Sequence, residues 1–250
     1  LTKQSSTLFT KEIKIRTSPS YPISRGQLVV SRKSGTALQT KFTLSATSWA
    51  MNVNEPLIYT FQYWDNSTEM PVVLASTTDS SITTLLPAGY SNKFLLGISV
   101  HVRNEFGDAS ESEVVSVRSM PVKISDESLS QIVEDALNQN NPQFVSDAIA
   151  LGDYINRQSR NLSKKAAELK FSRIVSSLID RVAVNLYSST NSSQLQEGLG
   201  VIDILTRSNT AVTSNIKHTV LNTIQSIIDN KVSELQTLTL IGQVISNIVA

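Results

Sequence analysis

The chain contains no cysteine, so no disulfide staples its fold, and taken alone that absence fits a reducing compartment. Histidine is nearly as scarce, with only His101 and His218 available for acid–base work or metal ligation. No apolar run reaches the 18 or more residues that span a bilayer. Charge of one sign is also missing: 22 Lys and Arg stand against 21 Asp and Glu, for a net charge of +1. The basic residues are scattered rather than striped, which argues against nucleic acid or an anionic membrane as a partner. The catalytic signatures H-E-x-x-H, G-x-S-x-G, the phosphate loop and G-x-G-x-x-G are absent as well. A chain of 250 residues buries roughly 70 to 75% of its extended surface on folding, enough for a core without crosslinks. It opens on Leu1 without a charged and apolar leader, which reads as a segment of a longer protein.

What is present in the first half is strand chemistry. From Leu95 the residues alternate, with Leu96, Ile98, Val100 and Val102 on one face and Gly97, Ser99, His101 and Arg103 on the other. The runs 42–46, 57–63, 72–75, 94–103 and 113–118 read as strands, separated by turn residues at 54–56, 65–67, 87–89 and 104–107. Short strands at this spacing predict a β-sandwich of the fibronectin III or immunoglobulin kind.

Several motifs in this half carry a family likeness: G-T-A-L-x-T-x-F-T-L-S at 35–45, Trp49, P-L-x-Y-x-F-x-Y at 56–63, L-P-A-G at 86–89 and V-x-V-R-x-x-x-G at 100–107. Over roughly residues 20–118 the chain resembles the receptor-for-egg-jelly (REJ) module of polycystin-family receptor ectodomains. Two departures are visible. Ala46 stands where the family commonly has cysteine after F-T-L-S, and Val53-Asn54-Glu55 replaces its usual acidic pair. The resemblance implies an extracellular setting, a ciliary or gamete surface, and association of the parent protein with a polycystin-type channel.

Composition changes near Pro121: both Trp, all three Met and six of the seven Pro lie at or before it. Beyond it the period becomes helical. Ser125-Asp126 and Asn141-Pro142 read as helix starts, 166–186 as the longest helix, and Ser193 with Gln196 as a capping box for a short one. Two more helices are expected at 210–229 and 233–250, and Gln243, Ser246 and Asn247 break the apolar run 238–250 at helical spacing, as an amphipathic helix requires. Because every stripe is narrow and backed by polar residues, no helix is expected to be buried all round, and sequential antiparallel packing is the default. The predicted fold is therefore multidomain: an all-β sandwich at 1–122 and an all-α helical domain at 123–250. In the resembled family a helical region follows the REJ modules, and 124–250 matches that order.

Candidate sites are few. Asn66-Ser67-Thr68, Asn161-Leu162-Ser163 and Asn191-Ser192-Ser193 are N-glycosylation sequons in expected loops, so Asn66, Asn161 and Asn191 are the predicted modified residues. His101 reads as an outward strand residue and His218 as a helix residue, each an ordinary solvated or boundary side chain. The carboxylates Asp65, Glu69, Asp79, Asp108, Glu111 and Glu113 lack calcium-loop spacing. Gly198-Leu199-Gly200 reads as a close helix contact or a weak point, and Trp49 and Trp64 as packing residues rather than a ligand-stacking surface. The autoproteolytic motif that the resemblance would suggest is not matched by His218-Thr219. No catalytic, cofactor or metal residue is expected. The first reading is a non-catalytic receptor or surface-glycoprotein segment that acts as spacer, adhesion surface or mechanical link. Its partners would be other domains of the same chain or neighbouring subunits. The alternative is a subunit of an extracellular filament or coat. A hydrolase would require a deep pocket that gathers His101 or His218 with two carboxylates.

Overall fold

The computed structural model describes residues 22–249, apart from 52–54, 65–70, 91, 139–140, 190–191, 209–210 and 230–234. Nine strands come first: β1 (Gln27–Val30), β2 (Ser34–Thr36), β3 (Lys41–Thr47), β4 (Ile58–Trp64), β5 (Val72–Thr77), β6 (Ser81–Leu85), β7 (Leu95–Arg103), β8 (Ala109–Glu111) and β9 (Val115–Met120). Six helices follow: α1 (Asp126–Leu137), α2 (Phe144–Ser159), α3 (Lys164–Ser188), α4 (Ser192–Thr206), α5 (Ser214–Asp229) and α6 (Leu235–Val249). The expected order, sandwich then helices, is the observed one.

The small sheet runs β1-β3-β6 and the large one β2-β9-β7-β4-β5, with β8 attached to β7. All pairings are antiparallel except β2 with β9. Alternation explains the interior of the small sheet. Phe42, Leu44 and Ala46 of β3 point inward, while Thr43 and Ser45 on its outer face bond the hydroxyls of Thr83 and Ser81 across to β6. From the large sheet Phe61, Tyr63, Leu74, Leu96, Ile98, Val100, Val102 and Val117 complete the core, all essentially without exposure. Each such side chain contributes about 1.5 to 3 kcal/mol by leaving water. Strands β1, β2, β6 and β8 were not expected from sequence; β2 and β8 have only three residues each, too short to show a period.

Helix starts follow local capping. Ser125 Oγ accepts from the Ser128 amide at 3.2 Å to begin α1, as expected, and Ser163 Oγ accepts from Ala166 to begin α3. The Asn141-Pro142 start is displaced: Asn141 Oδ1 caps a turn at the Gln143 amide, and α2 begins at Phe144 without a side-chain cap. Ser193 lies inside α4 rather than ahead of it.

Two packing expectations are overturned. The most extensive helix contacts join next-but-one helices, α4 with α6, α2 with α4 and α3 with α5. Helices α2 and α4 also meet β5. An inner row of α2, α4 and α6 therefore lies nearest the large sheet, with α3 and α5 outside it. Helix α4 is buried on every side from Gly198 to Thr206, because α2, α3, α6 and β5 surround it and Asp203 and Thr206 are the only polar side chains in that stretch. Consequently the buried apolar residues of sandwich and helices form one continuous cluster, from Leu28 to Ile248.

Candidate functional site

Two polar constellations sit where the helices meet the sandwich. The first is built on Leu86-Pro87-Ala88-Gly89, the segment leaving β6. The Gly89 amide donates to Ser119 O of β9 at 2.8 Å, and a Cβ on Gly89 would stand 2.1 Å from the Phe94 backbone; only glycine admits that approach. The turn presents the Ala88 amide and the Ala88 and Gly89 carbonyls to α2. There Asp153 accepts from the Ala88 amide (3.2 Å), the Tyr90 hydroxyl (3.0 Å) and Arg157 Nε (2.8 Å). Arg157 Nη2 donates to Ala88 O at 2.7 Å and Gly89 O at 3.4 Å, and its guanidinium lies 4.7 Å from the Tyr90 ring centre. Burial pushes the Asp153 carboxyl above the usual carboxylate range, against the Arg157 charge and the donors that favour ionisation. This is a clasp: each partner satisfies groups that the other would otherwise leave buried and unpaired.

The second constellation is a cleft of about 330 Å³ between strands β4, β5, β7 and β8 and helices α4 and α6. Its floor is the face of β7 expected to be solvated. Ser99 is fully buried under Gln62, Trp64 and Glu111, and His101 is half-buried in the cleft that α4 and α6 border; these helices come 90 or more residues later and leave no mark on the local alternation. Gln62 Nε2 donates to Ser99 Oγ (3.1 Å) and Glu111 Oε1 (2.8 Å), Trp64 Nε1 donates to Ser99 Oγ (3.1 Å), and Ser99 donates to Glu111 (3.1 Å). Arg103 donates to Ser193 Oγ of α4. On the helical wall Asp203 receives Arg207 at 2.7 Å and Asn247 of α6 at 3.0 Å. Burial first, then Arg103, lowers the affinity of His101 for a proton, with Glu111 opposing.

The cleft thus gathers His101 with Glu111 and Asp203, the set that a hydrolase reading required. Their hydrogen bonds are those of braces. Glu111 is taken by Gln62 and Ser99, Asp203 by Arg207 and Asn247, and the Ser99 hydroxyl points at Glu111 rather than at His101, so among the described residues no Ser–His pair is formed there. Among the described residues no group of three His, Cys, Asp or Glu could hold a metal ion.

Of the predicted glycosylation residues, Asn161 lies on the exposed turn between α2 and α3, while Asn66 and Asn191 lie outside the described residues. His218 is exposed on α5. Trp49 is half-buried against Gly26, and Trp64 borders the cleft, so neither is a fully enclosed core residue. A Cβ on Gly198 would meet Leu186 Cδ2 at 2.6 Å, making it a close helix contact, whereas Gly200 has nothing within 4 Å. Sequence reading missed Asp153 and Arg157. Their signal was an Asp-to-Arg i,i+4 pair on a helix, repeated by Asp203 of α4 and Arg207 just past its end.

The family model of the REJ domain matches residues 2–158. The chain belongs to the REJ family. No curated protein matches it. The REJ match runs beyond the 20–118 carried by the motifs and ends within the last turn of α2, one residue past Arg157. The L-P-A-G motif and the helix it clasps therefore fall inside one REJ unit. REJ domains are modules of extracellular receptor ectodomains of the polycystin kind, a family not known for enzymatic activity. Among the described residues no helix is long and apolar enough to cross a membrane. The other motifs have structural roles in the REJ fold: 35–45 spans β2, a tight turn and β3, carrying the chain from one sheet to the other, and Gly107 takes φ +93° in the turn after β7. Where the family commonly has cysteine, Ala46 is buried opposite Leu28.

Proposed function

We propose that the chain is a non-catalytic extracellular segment of a polycystin/REJ-like membrane receptor, in which the sandwich (1–122) and the helical domain (123–250) work as one stiff spacer and mechanical link. The observation that carries this reading is the clasp between Ala88-Gly89 and Asp153-Arg157, backed by the shared apolar core. A load entering at the sandwich would pass into α2 through charge-assisted hydrogen bonds rather than through a flexible linker. The parent protein would present this spacer at a ciliary or other cell surface, with a polycystin-type channel as its membrane partner and glycans on Asn66, Asn161 and Asn191. Force spectroscopy of the full chain tests the reading. One unfolding event that includes both halves supports a stiff link, and two separated events in the wild type refute it.

A second reading, a subunit of an extracellular filament or coat, draws on the apolar side chains that α3, α5 and α6 leave exposed, among them Leu169, Leu221, Leu238 and Val249. Sedimentation separates the two: a spacer stays monomeric as concentration rises, and an assembling subunit does not.

A further inference from the structure

Helix α4 carries one ionisable group that neither the clasp nor the cleft uses. Glu197 stands at the seam where α4 meets β5, beside a hollow of about 270 Å³ lined by Phe144, Val145, Val182, Asn185 and Leu186. One carboxyl oxygen, Oε1, is sealed from solvent and has no hydrogen-bond partner among the described residues. The carboxyl accepts from the Ser76 amide of β5 and receives nothing else that favours its charge. Among the described residues no balancing cation faces it from the elements packed on α4. Helix α6 and strand β5 contain no charged residue in their described spans. On α3, Arg181 is turned to the carbonyls of Ala136 and Asn138 and to the Phe144 ring. On α2, Asp147 is held by Asn141 and Asp153 by Arg157. On α4 itself, Asp203 is paired with Arg207.

A protonated carboxyl suits this place better: it is neutral, and it still receives the Ser76 amide. A carboxylate leaves about half of its charge on a sealed oxygen that no donor reaches. We propose that Glu197 is a proton-operated catch between the helices and the sandwich, closed when the carboxyl is neutral and loosened when it is ionised, with water entering the adjacent hollow to hydrate the charge. Burial raises the carboxyl from 4.5 to about 7, against the Ser76 amide, which places the catch within the extracellular and endosomal range. The direction follows from the folded state holding the proton more tightly than the unfolded chain. The seam is tightest below about pH 4.5, loses stability as pH rises from there to about 7, and is constant above. His101, whose proton affinity is lowered, drives the opposite trend from the cleft that α4 borders on the same face of the large sheet, so the Glu197 contribution is isolated by comparison with Glu197→Gln.

The experiment is an NMR titration of the full chain, read at the Ser76 amide and at the Glu carboxyl carbons, with hydrogen exchange of α4 and β5 measured alongside. A Ser76 shift with a midpoint near 7 is expected. Protection factors of α4 should gain a contribution of up to about tenfold per pH unit on acidification through this window, a contribution that Glu197→Gln removes while those of Asp147, Asp153 and His101 stay. A midpoint near 4.5, or a Glu197→Gln chain with the wild-type dependence, overturns the catch. The Ser76 titration needs only the wild type, so the result stands even if the variant folds poorly.

Discussion

Asp153→Ala removes the centre of the clasp, and its consequence can be worked from the contacts. The Ala88 amide, now 3.2 Å from a carboxylate and on a residue only 3% exposed, is left without a partner; a buried unsatisfied donor costs about 1 to 3 kcal/mol. Arg157 loses its counter-ion but keeps the carbonyls of Ala88 and Gly89, the Tyr90 ring and, with 26% of its side chain exposed, some water. Its share therefore falls below the roughly 3 to 5 kcal/mol of a fully buried broken pair. The expected total is about 3 kcal/mol, roughly a fifth to three-fifths of the stability of an ordinary domain. Urea denaturation of the wild type, Asp153→Ala, Arg157→Ala and the double variant measures it. Because the two side chains share partners, the cycle should show a coupling above about 1 kcal/mol, with the double variant losing less than the sum of the singles. A loss below about 1 kcal/mol for Asp153→Ala, or strictly additive singles, would refute the clasp as a structural link.

Three further outcomes follow from particular side chains. Gly198→Ala should destabilise by about 1 to 3 kcal/mol because its Cβ intrudes on Leu186, while Gly200→Ala, with open space around it, should be neutral or stabilising by about 0.5 to 1 kcal/mol; thermal melts of the pair give the contrast. Trp49→Ala should lose about 2 kcal/mol, less than a fully enclosed tryptophan, since Trp49 is half-buried; chemical denaturation checks it. In material from the native source, Asn161 should carry a glycan detectable by mass spectrometry, as its exposed turn leaves it open to transfer.

Much of the fold was legible because it is written in local periods. Leu96, Ile98, Val100 and Val102 announce β7 by alternation, and Ser125 announces α1 by capping. The REJ motifs were legible too, and they mark the fold's corners: L-P-A-G is a docking turn and 35–45 a crossing between sheets. What was illegible depends on contacts far apart in sequence. Ser99, His101 and Arg103 read as a wet face because nothing near them reveals that α4 covers it. The next-but-one stacking of α2, α4 and α6 depends on how three separate stripes fit together, and the full burial of α4 follows from that arrangement. Asp153 and Arg157 look like an ordinary surface i,i+4 pair until the Ala88 backbone, more than 60 residues earlier, is set beside them. Glu197 likewise looks like one more carboxylate of a helix start until β5 and α3, packed against it, seal one of its oxygens.

Both tryptophans lie in the sandwich, whereas far-UV ellipticity is dominated by the six helices, so the two halves carry separate reporters. Equilibrium unfolding of the full chain, followed by tryptophan fluorescence and by ellipticity in the same titration, therefore asks directly whether they hold together. One coincident transition is predicted for a sandwich and helices joined by the clasp and a common core. Two resolved transitions, with the helices melting while the tryptophan signal stays native, would contradict it.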